Sequence, residues 1–243
     1  MPDYFKLEAT VSRGQCGSDH IMRPDAWFQF FQWISSEHSR EMRCDHDGDL
    51  PESIIWVLLG AHAEWRSQAR CGDALRADTA PAANAHGMYQ RRIIVTSNDG
   101  SAVATSVGYW TLMDRVTRRI TRSDIVQRRH MEEQIGPGIR PTPFEPLTDA
   151  RVDGWSYTPD DIDVDDNGHV NNTRYVAWMD SALRESTGVP TALQSLDVWY
   201  AAEVMPGEAL TGRLARLVDG RFTFEVFRQG NEKVCFTAAG VLL

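Results

Sequence analysis

The chain has 243 residues, 42% hydrophobic and 24% charged, enough for one large domain or two small ones with an ordinary soluble core. Its net charge of −9 argues against a dedicated nucleic-acid binder, because nothing neutralises phosphates overall. No apolar run reaches the ~18 residues of a membrane span, and the four cysteines (Cys16, Cys44, Cys71, Cys235) lie far apart with no C-x-x-C pair, so they read as reduced thiols.

Taken in chain order, "MPDYFKLEAT" has neither the basic and apolar regions of a secretory signal nor the Arg-rich character of a transit peptide, so a cytoplasmic location is expected. In "SDHIMRPDAWFQFFQWI" (18–34), Pro24 suits a first helical turn, and Trp27, Phe30, Phe31 and Ile34 form an apolar stripe. The run "SIIWVLLGAHAEW" (53–65) predicts a buried strand. "RIIVTSNDGSAVATSVGYWTLM" (92–113) predicts two strands joined at a Gly/Asn/Asp turn. Residues 115–130 hold six arginines against one aspartate, and "GPGIRPTPFEPLTDA" (136–150) is a linker by composition.

The same order then returns. "NGHVNNTRYVAWMDSAL" (167–183) stands where the first helix stood, with Asn171, Asn172 or Thr173 as cap, an apolar stripe of Tyr175, Met179, Ala182 and Leu183, and Gly188 as the stop. "ALQSLDVWYAA" (192–202) answers the first buried strand. "PGEALTGRL" (206–214) echoes "CGDALRADT" (71–79), and a final hairpin (222–243) echoes 92–113. One long helix against an antiparallel sheet, twice over, is an α+β double hotdog. The expected units are an N-terminal hotdog over 1–135, a linker over 136–150 and a C-terminal hotdog over 151–243.

The acidic stretch "DIDVDDNGHVNNTRYVAWMD" (161–180) opens like a calcium loop, but the position that needs a bidentate Glu is Arg174, so no metal is expected there. His46 with Cys44 and Asp47 lacks a second histidine at ligand spacing and reads as a polar loop. Aligning His20 with His169, the first half offers Cys16, Ser18 and His20 where the second offers Asp165, Asn167 and His169. On the following strand Gln68 stands where Glu203 does. Only the second half gathers carboxylates, an amide and an imidazole. Such groups move protons, and the helix N-terminus beside them, at Val170 and Asn171, offers N–H donors to an oxyanion. Without an evident nucleophile, the set points to water-driven hydrolysis of an activated acyl group. A solvated loop remains the bland alternative.

The stretch "DDNGHVNNTRY" (165–175) matches in full the signature D-x-N-x-H-V-N-N-x-x-Y of the acyl-acyl carrier protein thioesterases of plants and bacteria. "YAAEV" (200–204) resembles their Y-R-R-E-C, and "WTLMDRVTRR" (110–119) resembles W-x-x-x-D-x-x-T-R-R. The resemblance covers nearly the whole chain. It implies a thiolester hydrolase that frees a fatty acid from acyl carrier protein, with Asp165, Asn167, His169 and Glu203 catalytic, no cofactor, and an acyl-binding first half. Val204 replaces the family's cysteine, and Ala201 and Ala202 replace its two arginines, which leaves the surroundings of Glu203 less basic. Trp27, Phe28, Phe31, Trp56 and Trp110 are candidate acyl-pocket walls. Arg115, Arg118, Arg119 and Arg122 are candidates for docking the acidic carrier. No nucleic acid and no membrane span are expected, and a homodimer is left open. The alternatives are release of acyl groups from coenzyme A or a polyketide carrier, a dehydratase, and a silent acyl-binding protein.

Overall fold

A computed structural model describes residues 4–85, 87–165, 168–230 and 233–243. The first half runs β1 (Phe5–Thr10), a 3-10 turn (Arg13–Gln15), α1 (Pro24–Glu41), β2 (Ile54–Trp65), β3 (Ala74–Ala85), β4 (Met88–Ser97), β5 (Ala102–Asp114), the short β6 (Ile120–Thr121) and α2 (Asp124–Glu133). The second runs β7 (Arg151–Tyr157), a 3-10 turn (Asp161–Asp163), α3 (Asn172–Thr187), β8 (Leu193–Tyr200), β9 (Leu210–Arg216), β10 (Arg221–Arg228) and β11 (Val234–Leu242).

The strands form one antiparallel sheet in the order β1-β3-β4-β5-β2-β8-β11-β10-β9-β7, with β6 on β5. The two halves join where β2 pairs with β8, from Gly60 opposite Trp199 to Glu64 opposite Ser195. Gly60 is required there. A Cβ at that position would lie 2.5 Å from both the Trp199 ring and the Val198 carbonyl oxygen.

Both long helices pack on this sheet and on each other. Phe28, Phe31 and Ile34 of α1 share one buried cluster with Val176, Met179 and Leu183 of α3 and with Leu196, Phe224 and Phe236 of the sheet. Each such side chain contributes roughly 1.5–3 kcal/mol through burial. Pro24 opens α1, Asn171 caps α3 by accepting from the Thr173 N–H, and Gly188 ends α3 in the left-handed conformation (φ 73°) that glycine tolerates. This is the double hotdog that the repeated pattern predicts. The repeat has no place for α2, a short helix capped by Ser123 that buries only Val126 and His130. Residues 136–150 form neither helix nor strand, and Ile139 exchanges two hydrogen bonds with the side chain of Gln90 on β4.

The internal repeat is visible bond by bond, and it corrects the alignment of the two histidines. Each half enters its helix through a 3-10 turn and an isolated bridge, Cys16 with Met22 and Val164 with Val170. The Gly17 N–H donates to the Ile21 carbonyl as the Asp165 N–H donates to that of His169. His20, at φ 62°, therefore corresponds to Gly168, at φ 81°, and Ile21 occupies the place of His169. The pairing of Gln68 with Glu203 stands. The Met22 N–H donates to the carbonyl of Ala69 as the Val170 N–H donates to that of Val204, one residue past Gln68 and Glu203 respectively.

Candidate active site

The acidic loop is held by Asp163, which has no solvent exposure. One carboxylate oxygen accepts from the Tyr157 hydroxyl and the Asp160 N–H, and the other accepts from Nε of Arg174. The arginine that disqualified the calcium reading thus staples the loop to the first turn of α3. A buried carboxylate tolerates this position because a cation and hydrogen bonds compensate its lost hydration.

That anchoring presents Asp165 and His169 to the cavity. His169 Nδ1 lies 3.7 Å from an oxygen of Asp165, and Nε2 lies 3.7 Å from an oxygen of Glu203. The imidazole is partly buried between two carboxylates. Glu203 does not sit on a strand, as expected from the sequence. It lies in the loop after β8, in ion-pair contact with Arg118. Asn167 falls outside the described residues.

Arg118 comes from the other half of the chain, and the preceding motif explains its position. Asp114 accepts from the N–H groups of Val116 and Thr117 and from the Thr117 hydroxyl, closing a tight turn after β5. The Arg118 N–H donates to the Asp114 carbonyl, and Arg118 itself adopts φ 57°. Its guanidinium pairs with Glu203, which gives this candidate docking residue a place beside the acid. Arg228 donates to the Glu203 carbonyl. Ala201 and Ala202 are short, yet two arginines from distant parts of the chain stand in the glutamate's surroundings, contrary to the less basic environment expected.

The oxyanion assignment needs correction too. The N–H of Val170 already donates to the Val204 carbonyl (2.9 Å), and that of Asn171 to the Asp163 carbonyl (2.8 Å). Neither is available to a substrate. The first N–H of α3 without a carbonyl acceptor among the described residues belongs to Asn172, which also lines the cavity.

The cavity has a volume of about 800 Å³ and reaches from Asp165, His169 and Glu203 past Tyr175 and Leu58 to Trp56 and Trp110. Of the five aromatic residues considered for an acyl pocket, these two line the cavity. Trp27, Phe28 and Phe31 do not. They are 2–5% exposed and packed in the shared core, because the apolar stripe of α1 faces the sheet and α3. Arg115 lines the cavity, while Arg119 and Arg122 are exposed on the surface. Val204 is fully buried in the core, away from the cavity lining.

The first half has no equivalent set. Gly17, Ile21 and Gln68 occupy the places of Asp165, His169 and Glu203, and Gln68 donates to the Leu193 carbonyl. The sequence offered one route to Arg118, the T-R-R segment after Asp114, but nothing in it placed that arginine opposite Glu203.

Residues 2–127 match the family model described as acyl-ACP thioesterase N-terminal domain, and residues 150–232 match acyl-ACP thioesterase C-terminal domain. The chain is similar to a chloroplastic acyl-acyl-carrier-protein hydrolase of Cuphea viscosissima, at 24% identity over 82% of this chain and 52% of that protein. It is likewise similar to the palmitoyl-acyl carrier protein thioesterase of Arabidopsis thaliana, at 24% identity over 89% of this chain and 61% of that one. The chain spans about half the length of the curated relatives it matches. Among solved structures, the 12:0-ACP thioesterase from Umbellularia californica superposes with a TM-score of 0.85 at 20% identity, over 99% of this chain and 97% of that one, a likeness of fold.

Proposed function

Because this chain belongs to the acyl-ACP thioesterase family, we propose that it hydrolyses the thioester of an acyl group carried on acyl carrier protein, using water as the nucleophile. The observation that carries the reading is His169, placed 3.7 Å from each of Asp165 and Glu203 at the end of a large cavity.

In this mechanism Asp165 holds the Nδ1–H of His169, so that Nε2 presents its lone pair toward Glu203. The attacking water sits between Nε2 and the Glu203 carboxylate, which Arg118 holds in place. His169 takes one water proton as the oxygen bonds to the thioester carbon. The Asn172 N–H stabilises the oxyanion, a contribution typically worth ~3 kcal/mol. The intermediate then collapses, the carbon–sulfur bond breaks, and His169 returns its proton to the leaving sulfur. The products are a free acid and the carrier's thiol. Asn167 positions the water in this scheme.

Val204 does not weaken the reading. Its position faces the core, so a cysteine there would not reach the thioester carbon. The carrier is proposed to dock on the basic surface around Arg119 and Arg122, beside the cavity wall at Arg115.

The test is thiol release from acyl-carrier substrates of C4 to C18, with wild type and Glu203→Ala side by side. Release by the wild type that collapses in the variant supports hydrolysis by water. Absence of release across the panel would favour a protein that binds acyl groups without consuming them.

A further inference from the structure

The cavity that begins at His169 adjoins a second one that holds a buried charge. Trp56, Trp110, Ser36 and Asp45 also line a smaller adjoining chamber of about 140 Å³, whose walls add Arg40, Tyr89, Arg91 and His130. Arg91 on β4 is only 8% exposed. One guanidinium nitrogen contacts His38 Nδ1 (2.5 Å) and the other contacts the Met42 sulfur (3.7 Å). No carboxylate among the described residues lies within ion-pair distance of it.

This sets Arg91 apart from the other buried charges. Asp25 pairs with Arg23, Asp163 with Arg174, Asp180 with Arg184 and Glu225 with Arg213. The neighbouring acids do not pair with it, although Asp45 also lines the chamber. Asp45 lies 3.9 Å from Arg40, and Asp49 is taken by Arg43 and Arg129. A buried guanidinium without an anion carries an uncompensated desolvation cost. The two nearby imidazoles do not add positive charge, since burial holds His38 down to about 3 and His130 down to about 4. Arg40 also lines the chamber but is paired with Glu37 and Asp45, which leaves Arg91 as the lining cation with no acidic partner among the described residues.

We propose that the acyl group accepted by this protein ends in a carboxylate, which reaches the chamber beside Trp56 and Trp110 and pairs with Arg91. The substrate class would be a half-thioester of a dicarboxylic acid, an acyl chain with a carboxylate at its far end. A plain alkyl chain would press hydrocarbon against the unpaired cation, whereas a carboxylate matches the planar, two-pronged donor geometry of a guanidinium. This inference rests on the thioester-hydrolysis reading for its turnover step.

The experiment uses carrier thioesters of C4 to C10 in three matched series, ending in methyl, hydroxyl or carboxylate, assayed for kcat/KM with wild type, Arg91→Met and Arg91→Lys. At the best length, the carboxylate series should exceed the methyl series by roughly tenfold or more in the wild type. Arg91→Met should abolish that preference and Arg91→Lys should retain part of it. Methyl-ended chains equal to or better than carboxylate-ended ones, hydroxyl-ended chains better than both, or a preference unchanged in Arg91→Met would each overturn the proposal. Calorimetry with free diacids and monoacids of equal length decides the chamber independently of turnover. Tighter diacid binding that is lost in Arg91→Met supports the proposal, and equal binding refutes it. Thiol release from the methyl series alone would leave hydrolysis intact and remove only the carboxylate.

Discussion

Acidification from pH 7.5 to 5.5 should destabilise this protein through two particular rings. His38 and His130 are each 4% exposed, and burial is the first cause of their depressed basicity, with Arg91's charge adding to it. The His130 Nε2–H donates to the Ala82 carbonyl, and His38 accepts from Arg91. Both rings are therefore neutral when folded, while in the unfolded chain they titrate near 6.5. A histidine held below its unfolded value supplies stability above pH ~6.5 and loses it as pH falls toward the folded value. One unit below 6.5, each ring forgoes about 1.4 kcal/mol of proton binding, so the pair should cost about 2.8 kcal/mol at pH 5.5. That figure hardly depends on the folded values, because about 3 and about 4 both lie well below 5.5. His62 acts with the opposite sign. Asp197 raises its pKa, so its stabilisation is present at low pH and is lost as pH rises through the folded value. Urea denaturation of wild type and His130→Gln at both pH values separates the effects, since His62 cancels in the comparison. The variant should lose about 1.4 kcal/mol less on acidification than the wild type. Equal losses would refute the assignment.

Arg118→Ala should lower kcat on carrier-bound and truncated thioesters alike, by roughly 10- to 100-fold, because it releases Glu203 from its position. A rise in KM confined to the carrier substrate would instead assign Arg118 to docking. Val204→Cys should leave kcat within about twofold of wild type, measured by thiol release, since the side chain there packs in the core. Arg174→Met should destabilise the fold by about 3–5 kcal/mol in chemical denaturation by stranding the buried Asp163 carboxylate. Arg174→Met with Asp163→Asn should recover part of that loss.

The architecture was legible because the repeat is carried by periodicity and turn residues, which are local. Pro24, Asn171 and Gly188 mark helix ends through their own backbone preferences, and the apolar stripes of α1 and α3 follow one helical face. The cluster of Asp165 and His169 was legible for the same reason, as both lie in one short loop. Long-range pairs were not. Nothing near Arg118 in the chain states that the turn at Asp114 aims it at Glu203, 85 residues away. The first aromatic stripe predicts an apolar face correctly but cannot say whether that face meets a ligand or α3. The backbone partners of Val170 and Asn171 were hidden for a related reason. A helix N-terminus exposes N–H groups in principle, but the chain entering this one folds back to use them. The one-residue slip between His20 and Ile21 arose because matching side-chain identity ignored the left-handed position, which Gly168 and His20 share.

The seam between β2 and β8 has a consequence for how the molecule could be divided. The halves meet through backbone hydrogen bonds from Gly60 to Glu64 and through a glycine fitted against Trp199, so either half alone would present an unpaired strand edge. The Arg118–Glu203 pair spans the same division. Fragments cut within 136–150 and expressed together would therefore report their own reassembly. Catalysis would return only when the seam had closed in register, which makes turnover a readout of correct docking between two separately made pieces.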